Sequence, residues 1–251
     1  MRIAYVTLHW PRTLSSSVGK KIANQISAWR KLGHTVQFFS HLHPMHTNES
    51  LIEGERFYYQ NDKGFLASEL GRITAVGKLL ESVYDFRPDV IYLRWGMYVH
   101  PMRKITKIAP IIVEVNTNDL KEHKLLGFSR DQYNRLTRSI LLGNASGLVF
   151  TSKELAEEHI FSKFNKRFTV ITNGINLANT PFYKAPNNDL PRLIFIGTPG
   201  MAWHGIEKLI LFAQHFPDIK IDIVGYDSIG FWLSCKTASI KSVHYLRGEI
   251  L

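Results

Sequence analysis

The sequence predicts an α/β protein with two Rossmann-like, doubly wound parallel-sheet domains, the second of them incomplete. Short apolar runs alternate with segments of helical spacing, once before and once after a stretch that is dense in Asn and Pro. That stretch has no hydrophobic period and opens with an Asn-Gly turn. We therefore expect an N-terminal domain over residues 1–172, a linker over 173–191 and the start of a C-terminal domain over 192–251.

The first domain opens with a continuous apolar run typical of a buried strand, followed by a Pro- and Ser-rich loop. A helix from about Val18 to Leu32 then places Ile22, Ile26 and Trp29 on one face. The pair Gly33-His34 is a helix stop. This is a Rossmann-like opening.

A second long helix is predicted over Glu69–Phe86. Apolar residues recur at helical spacing from Leu70 to Val83, and Pro88 ends the segment. The preceding connection, His41–Arg56, is predicted to be an irregular polar loop. It contains three histidines but, Glu49 apart, lacks the Asp and Cys ligands that a metal site needs, so we expect no metal there.

The remaining elements continue the alternation. The predicted strands of this domain are Arg2–Leu8, Thr35–Ser40, Asp89–Leu93, Pro110–Val115, Gly147–Phe150 and Phe168–Ile171. A helix is predicted over Ser129–Gly143, and Thr151 is predicted to cap the next one, with Glu154 completing a capping box. In such a sheet, ligands bind outside the carboxyl ends of the strands.

The second domain begins with a complete β-loop-α-β unit. The run Leu193–Ile196 predicts a strand buried on both faces, and helical spacing starts at Gly205 after a loop. The strand Ile219–Val224 follows. The free amides at the start of this helix favour phosphate.

The last predicted elements are a helix over Ile229–Ala238 and a strand over Val243–Leu246. A sheet of three strands is thin, and nothing after Leu251 covers its far edge. We therefore expect the sequence to be the front part of a longer protein.

Basic residues outnumber acidic ones by 31 to 21, which gives a formal net charge of +10. This excess favours an anionic partner, which could be nucleotide phosphate, nucleic acid, or an anionic inner leaflet that holds a lipid-linked acceptor. The sequence has no helix-turn-helix, zinc-finger or RNA-motif signature. We therefore expect no nucleic-acid partner.

The single cysteine, Cys235, excludes an internal disulfide and favours a reducing compartment. The first residues form too short an apolar run for a signal peptide, and no run has the length of a membrane span. The predicted location is the cytoplasm, with association to the inner face of the membrane.

Several segments, in order, resemble the family-four retaining glycosyltransferases, which have the GT-B architecture of two facing Rossmann-like domains. They are VGKKIANQISAWRKLGHTV, PDVIYLRWG, IIVEVNTND, VFTSKELAEEH, TNGIN, FIGTPGMAWHGIEKLI and DIVGYD. The resemblance implies transfer of a sugar from a nucleotide-diphosphate donor to an acceptor hydroxyl, with retention and without an obligatory metal or other cofactor. It also implies a glycan or lipid-linked acceptor and a role in cell-surface polysaccharide synthesis.

The resemblance also implies where the donor binds. Family members have paired glycines in the first-domain loop, and these fall near Ser16 and Ser17, so the backbone of Ser17, Val18 and Gly19 is expected to approach the donor. In the second domain the expected donor contacts are Gly197, Thr198, His204 and Gly205. The family often has Arg and Lys where this chain has Thr198 and His204, which weakens the expected charge at that loop.

The acceptor side is expected in the first domain. The family often has a catalytic-site His in the loop after the strand matched by IIVEV, where this chain has Asn116 and Asn118. The resemblance therefore assigns Asn116 to catalysis or acceptor binding and Asn118 and Arg94 to acceptor binding, whereas Glu114 lies inside the strand and is expected to be structural.

One departure from the family leaves other functions open. The pair of Glu residues, seven apart, that holds the donor in family members has no counterpart after Gly225. We therefore expect weak or no turnover by this polypeptide alone. The alternatives are a non-catalytic remnant or sugar- or partner-binding module, and a nucleotide-sugar epimerase of the same architecture.

Overall fold

The structure is a computed structural model that divides into two compact units, Met1–Thr180 and Pro181–Leu251. It describes residues 1–8, 17–42, 53–59, 64–177, 180, 182, 184, 187–197, 205, 207–224 and 242–246. The division falls inside the segment 173–191 that the sequence predicts to be a linker.

The first unit is built on a seven-stranded parallel sheet. Its strands are β1 (Arg2–Thr7), β2 (Thr35–Leu42), β3 (Gly54–Tyr58), β4 (Val90–Arg94), β5 (Ile111–Val115), β6 (Gly147–Phe150) and β7 (Phe168–Val170). Their order is β3-β2-β1-β4-β5-β6-β7. This order is Rossmann-like, because the chain winds from its first strand to one edge and then to the other.

Helices connect these strands. They are α1 (Ser17–Lys31), α2 (Phe65–Phe86), α3 (Asp119–Leu125), α4 (Phe128–Leu142), α5 (Lys153–Glu157) and α6 (His159–Ser162), with a 3₁₀ helix over Met102–Lys107. Among the described residues, no helix has both the length and the hydropathy that crossing a membrane requires.

The core lies on both faces of the sheet, because successive side chains in a strand point to opposite sides. On one face, Ile22 of α1 packs in a cluster with Tyr5 of β1. On the other, Leu79 of α2 packs in a cluster with Val6 and Leu93. All five side chains are fully buried. The predicted doubly wound α/β fold is confirmed.

The strand order reverses between β1 and β4, which are hydrogen-bonded neighbours with Thr7 opposite Arg94. The chain leaves β1 toward one edge of the sheet and leaves β4 toward the other. The connections after these two strands therefore diverge and open a crevice at their carboxyl ends. This crevice is where a ligand of the first unit is expected.

The second unit contains a three-stranded parallel sheet and a helix. Its elements are β8 (Arg192–Ile196), α7 (Glu207–His215), β9 (Lys220–Val224) and β10 (Val243–Leu246), with sheet order β10-β9-β8. Ala213 of α7 packs on Ile221 and Ile223 of β9. The predicted helix over residues 229–238 lies outside the described residues.

Strand β8 corrects one prediction. The sequence predicts a strand buried on both faces, but Ile194 and Ile196 are 62% and 65% exposed. The reason is position: β9 is the central strand, and β8 is hydrogen-bonded to β9 alone within the described part of the sheet. An apolar run therefore identified the strand but not its place in the sheet.

Two further corrections concern the region before β4. The segment His41–Arg56, predicted to be irregular throughout, has strand residues at both ends: His41 and Leu42 are the last residues of β2, and residues 54–56 begin β3, which pairs with β2. Leu70, predicted to be in the apolar stripe of its helix, is 66% exposed. Its helix starts earlier than predicted, at Phe65, and the buried stripe begins at Ala75 and Val76.

The segment after β5, predicted to be a loop, contains helix α3. Asp119 at its start is buried, and its carboxylate accepts hydrogen bonds from Arg138 of α4 at 2.7 Å and from Asn134 at 2.7 Å. The Arg138 side chain also lies over the ring of Phe161 and donates to the Ile160 carbonyl. This buried ion pair fixes the short helix against α4.

The cap of α5 is also one residue later than predicted. The Ser152 hydroxyl accepts a hydrogen bond from the Leu155 amide at 3.2 Å, so Ser152 is the N-cap. Because the third helical residue is then Leu155, Glu154 cannot complete a capping box. The Thr151 hydroxyl instead donates to the Asn116 carbonyl at 3.2 Å.

Candidate functional site

A buried carboxylate, Glu114 of β5, is the centre of a polar cluster at the carboxyl edge of the first sheet. Its Oε1 atom lies 3.0 Å from Lys21 Nζ and 2.8 Å from Arg94 Nη1. Its Oε2 atom accepts hydrogen bonds from the Tyr92 hydroxyl at 2.7 Å and the Gln25 amide at 3.1 Å. One carboxylate thus receives four donors from α1 and β4.

The local structure explains why these side chains meet. Arg94 is the last residue of β4 and pairs in register with Glu114, so both side chains point to the same face of the sheet. Helix α1 covers that face. Lys21 and Gln25 lie one helical turn apart on α1, beside the buried residue Ile22, and can both reach Glu114.

The cluster sets the ionisation of its members. Burial alone would raise the pKa of Glu114, but the Tyr92 hydrogen bond and the charges of Lys21 and Arg94 together lower it below the ordinary value. The pKa of Tyr92 is raised, first by burial and then by the Glu114 charge. At neutral pH the site therefore contains a carboxylate and a neutral phenol.

Asn116, directly after β5, extends the cluster. Its Oδ1 atom accepts hydrogen bonds from Lys21 Nζ at 2.9 Å and Arg94 Nη1 at 3.2 Å. Both cations face this oxygen, which defines the orientation of the amide. The Nδ2 atom is buried and has no hydrogen-bond partner among the described residues. It is a buried donor for which the described residues supply no acceptor.

The charges of the cluster do not balance. Two cations share the single carboxylate of Glu114, whose side chain is 1% exposed, while the side chains of Lys21 and Arg94 are 17% and 14% exposed. The cluster therefore has one excess positive charge, and both cations reach solvent. Such an arrangement attracts an anion.

A cavity of about 400 Å³ lies beside this cluster, within the first unit. Lys21 and Gln25 line it from α1, and Thr172, Gly174 and Asn176 line it from the segment after β7. The latter three belong to the motif TNGIN, in which the sequence predicts a turn at Asn173-Gly174. The volume is in the range of small-molecule sites.

The structure brings two of the predicted acceptor residues together and gives the third another contact. Arg94 and Asn116 are hydrogen-bonded. Asn118 is the N-cap of α3: its Oδ1 accepts from the Lys121 amide at 2.9 Å, and its Nδ2 donates to Glu158. Acceptor contact by Asn118 remains a prediction, and it would require that its side chain leave these partners.

The predicted donor residues of the first unit lie at the start of α1. Ser17 is its first residue, and Gly19 is buried in its first turn. Val18 packs its side chain against the core on the α1 face, so any contact with a ligand would have to come from its backbone. Donor contact by these residues stays a prediction.

Of the predicted donor residues in the second unit, the structure describes two. Gly197 directly follows β8, and its amide donates to the Val224 carbonyl at 3.1 Å. Gly205 has φ +62° just before α7, a backbone conformation that favours glycine. Thr198 and His204 lie outside the described residues.

The sequence prediction missed Lys21, Gln25 and Tyr92. The available signal was the spacing of Lys21 and Gln25, four residues apart and next to the apolar stripe of α1. Nothing in the sequence shows that these two side chains contact β5. In the part of the chain that the structure describes, no three His, Cys, Asp or Glu residues are grouped so that they could hold a metal ion.

Comparison with known families gives one match. The sequence profile of Glycosyltransferase Family 4 matches residues 18–179, which is more than half of the chain. That range includes every member of the cluster around Glu114. A search of curated proteins gives no match.

Solved structures share the fold at low sequence identity. Sucrose-phosphate synthase from Thermosynechococcus elongatus has a TM-score of 0.70 at 14% identity, over 98% of this chain and 70% of that protein. Anabaena HepE, solved with UDP and glucose, has a TM-score of 0.56 at 16% identity, over 97% and 68%. UDP-GlcNAc 2-epimerase from Neisseria meningitidis, bound to UDP-GlcNAc, has a TM-score of 0.52 at 16% identity, over 99% and 72%.

Proposed function

The chain belongs to Glycosyltransferase Family 4, and we propose that it transfers a sugar from a nucleotide-diphosphate donor to an acceptor hydroxyl. We further propose that the anomeric configuration is retained and that no metal is required. The observation on which this rests is the polar cluster at the switch point of the first sheet, where two cations contact both the Glu114 carboxylate and the amide oxygen of Asn116.

The cluster has the properties that such a transfer needs. A departing nucleotide diphosphate develops negative charge, and without a metal the protein must stabilise that charge with cations and amides. Lys21 and Arg94 supply an excess positive charge that is already fixed in place by Glu114. We assign a sugar oxygen as the acceptor for the Asn116 Nδ2 atom, because the Oδ1 atom of the same amide is already bonded to Lys21 and Arg94.

We assign the following roles as part of this proposal. Asn116 contacts the acceptor or the reacting centre, and Arg94 positions both Asn116 and an anionic group. The backbone at Ser17–Gly19 and the glycines Gly197 and Gly205 contact the donor. HepE, a protein of similar fold solved with UDP and glucose, supports the choice of a nucleotide-sugar donor.

The net charge of +10 supports an acceptor or a surface that is anionic. We propose a lipid-linked glycan acceptor at the inner face of the membrane, in the synthesis of a cell-surface polysaccharide. The chain would then work in the cytoplasm, next to the leaflet in which its acceptor is anchored.

The test is a screen of nucleotide-diphosphate sugars with lipid-linked acceptors, in which released nucleoside diphosphate is measured. We expect one donor to be turned over only in the presence of acceptor, and slowly, in keeping with the weak turnover expected of this polypeptide alone. Asn116→Ala should lower kcat/KM by about tenfold or more, the effect of losing one hydrogen bond of about 1.4 kcal/mol or more. Asn144→Ala, at an exposed Asn at the other end of the sheet, is the control and should have no effect.

Donor binding is tested separately by calorimetric titration with UDP, GDP and ADP. One of these should bind, and His204→Ala should weaken it. An unchanged affinity would remove His204 from the donor site. Asn116→Ala should leave the nucleotide affinity unchanged, because we assign Asn116 to the acceptor side.

A second candidate function is nucleotide-sugar epimerisation, which the similarity to UDP-GlcNAc 2-epimerase favours. An epimerase would convert the sugar of its substrate without any acceptor, and nuclear magnetic resonance spectra of the nucleotide sugar would show a second diastereomer. Binding of a nucleotide without transfer or epimerisation would instead identify a non-catalytic module.

A further inference from the structure

Helices α3 and α4 expose an unusual number of large apolar side chains. Over Lys121–Leu136, here called the α3–α4 surface, the exposed fractions are 58% for Leu125, 42% for Leu126, 80% for Phe128, 40% for Tyr133 and 77% for Leu136. These five lie within twelve residues. A cluster of this kind on a soluble domain marks a surface that another molecule covers.

These side chains are not misplaced core residues, because α4 already buries its opposite face. Asn134, Arg138 and Leu141 are at most 2% exposed and pack inward. Phe128, Gln132 and Leu136 follow one another at a spacing of four on the outer face. The fold of the first unit therefore gains nothing from the apolar character of Phe128 and Leu136.

The exposed charges on the same surface have one sign. Its four exposed basic residues are Lys121, Lys124, Arg130 and Arg135. Its two acidic residues do not balance them at the surface: Asp131 is 7% exposed and accepts from Arg135, and Glu122 is half-buried and accepts from Thr117. Lys121 also meets Glu158 at 3.3 Å. Lys124 and Arg130 are therefore the cations best placed to meet an external anion.

The position of this surface relates it to the candidate site. Helix α3 begins at Asp119, three residues after Asn116, so the surface starts at the carboxyl edge of the sheet. Tyr133 lies close enough to α2 that the charges of Arg72 and Glu69 act on its hydroxyl, whose pKa burial raises. Leu66 and Leu70 of α2 are also exposed, at 76% and 66%.

We propose that the α3–α4 surface docks on the interface of an anionic phospholipid bilayer. Phe128 and Leu136 enter the boundary between headgroups and acyl chains, and Lys124 and Arg130 contact headgroup phosphates. Exposed apolar and aromatic side chains with cations and no exposed carboxylate are the composition of interfacial binding surfaces. The inference rests on the proposed function, since docking would hold a lipid-linked acceptor near Asn116.

The experiment is co-sedimentation of the full chain with vesicles of phosphatidylcholine alone or of equal parts phosphatidylcholine and phosphatidylglycerol. Binding should occur to the anionic vesicles and weaken as salt is raised. The double variant Lys124→Gln with Arg130→Gln should bind about thirtyfold more weakly, since each cation near an anionic surface contributes about fivefold. Lys163→Gln with Arg167→Gln makes the same change of net charge at exposed positions before β7 and should change binding little.

The apolar contribution has its own matched pair of variants. Phe128→Ser with Leu136→Ser should abolish sedimentation with anionic vesicles. Leu32→Ser with Tyr84→Ser removes one leucine and one aromatic ring of similar exposure, 72% and 67%, from the ends of α1 and α2 and should bind like the wild type. Circular dichroism of each variant verifies that it is folded.

Two results would overturn the proposal. One is equal loss of vesicle binding in the variants and in their matched controls, which would indicate an effect of net charge alone. The other is no vesicle binding together with self-association in the ultracentrifuge that Phe128→Ser with Leu136→Ser removes, which would make the surface a contact between copies. Nucleotide titration of the same variants separates this question from the proposed function, because they should bind nucleotide normally.

Discussion

Replacement of Glu114 by Gln tests whether its carboxylate is what holds the polar cluster together. The substitution keeps the shape of the side chain but leaves Lys21 and Arg94 without a counter-ion. Breaking a buried ion pair by removal of one partner costs about 3–5 kcal/mol. The two cations are 17% and 14% exposed and can regain some hydration, so we expect the free energy of unfolding to fall by about 2–3 kcal/mol.

The assay is urea unfolding followed by tryptophan fluorescence. Trp29 of α1 is a suitable reporter, because its ring lies edge-on against Tyr92 with centroids 4.9 Å apart. Glu81→Gln, at an exposed position on α2, is the matched control and should change the free energy of unfolding by less than about 0.5 kcal/mol.

The pH dependence gives a second readout. The pKa of Glu114 in the folded chain lies below its ordinary value of 4.5, so its charged form stabilises the fold fully above that pH. The stabilisation is lost as pH falls through the folded pKa. The difference between wild type and Glu114→Gln should therefore be largest near pH 7 and shrink below pH 4.5. A difference below about 1 kcal/mol at pH 7, or one that stays constant down to acid pH, would refute this account of the cluster.

Two further substitutions test contacts that the sequence did not predict. Arg138→Met should lower the free energy of unfolding by about 3–5 kcal/mol, because it leaves the buried charge of Asp119 unpaired. Arg130→Met, on the exposed side of the same helix, should have little effect. Similar urea midpoints for the two variants would contradict the structural role of the ion pair between Asp119 and Arg138. Ser152→Ala should cost about 1 kcal/mol through loss of the N-cap, and Thr151→Ala less than that, as measured by thermal unfolding. The reverse ranking would place the cap at Thr151.

The sequence predicted the strands that consist of continuous apolar runs. In β4 and β5 such runs are buried on both faces of a parallel sheet, and their bounds were predicted to within one residue. Strand β3, with the sequence GERFY, has no such run, and its pairing with β2 depends on residues distant in the chain. Short elements that depend on tertiary pairing give little signal of their own.

Helix α3 was missed for a related reason. Its seven residues, DLKEHKL, are too few and too polar to predict a helix. The contact that holds it, between Asp119 and Arg138, joins two residues nineteen positions apart, which spacing alone does not reveal. Similarly, the apolar period placed Leu70 on the buried face of α2 because the sequence did not show where the sheet beneath that helix ends.

The candidate site was predictable where it depends on strand ends. Arg94 and Asn116 each lie at or just after the end of a predicted strand, so their convergence at one edge of the sheet followed from the fold. The structure added the role of Glu114 as the acceptor that unites four donors. Lys21 and Asn116 are 95 residues apart in the chain, and their hydrogen bond depends on how α1 packs on the sheet, which the sequence pattern does not show.

Helix α1 joins two sets of predicted contacts in one rigid element. Ser17, predicted to approach the donor, starts the helix, and Lys21, which bonds to Asn116, follows four residues later, about 6 Å along the axis. A displacement of the amino end of α1 would also move Lys21 and so change its hydrogen bond with the Asn116 amide. If a bound nucleotide raises the affinity for an acceptor through this helix, then a bound acceptor must raise the affinity for the nucleotide by the same factor.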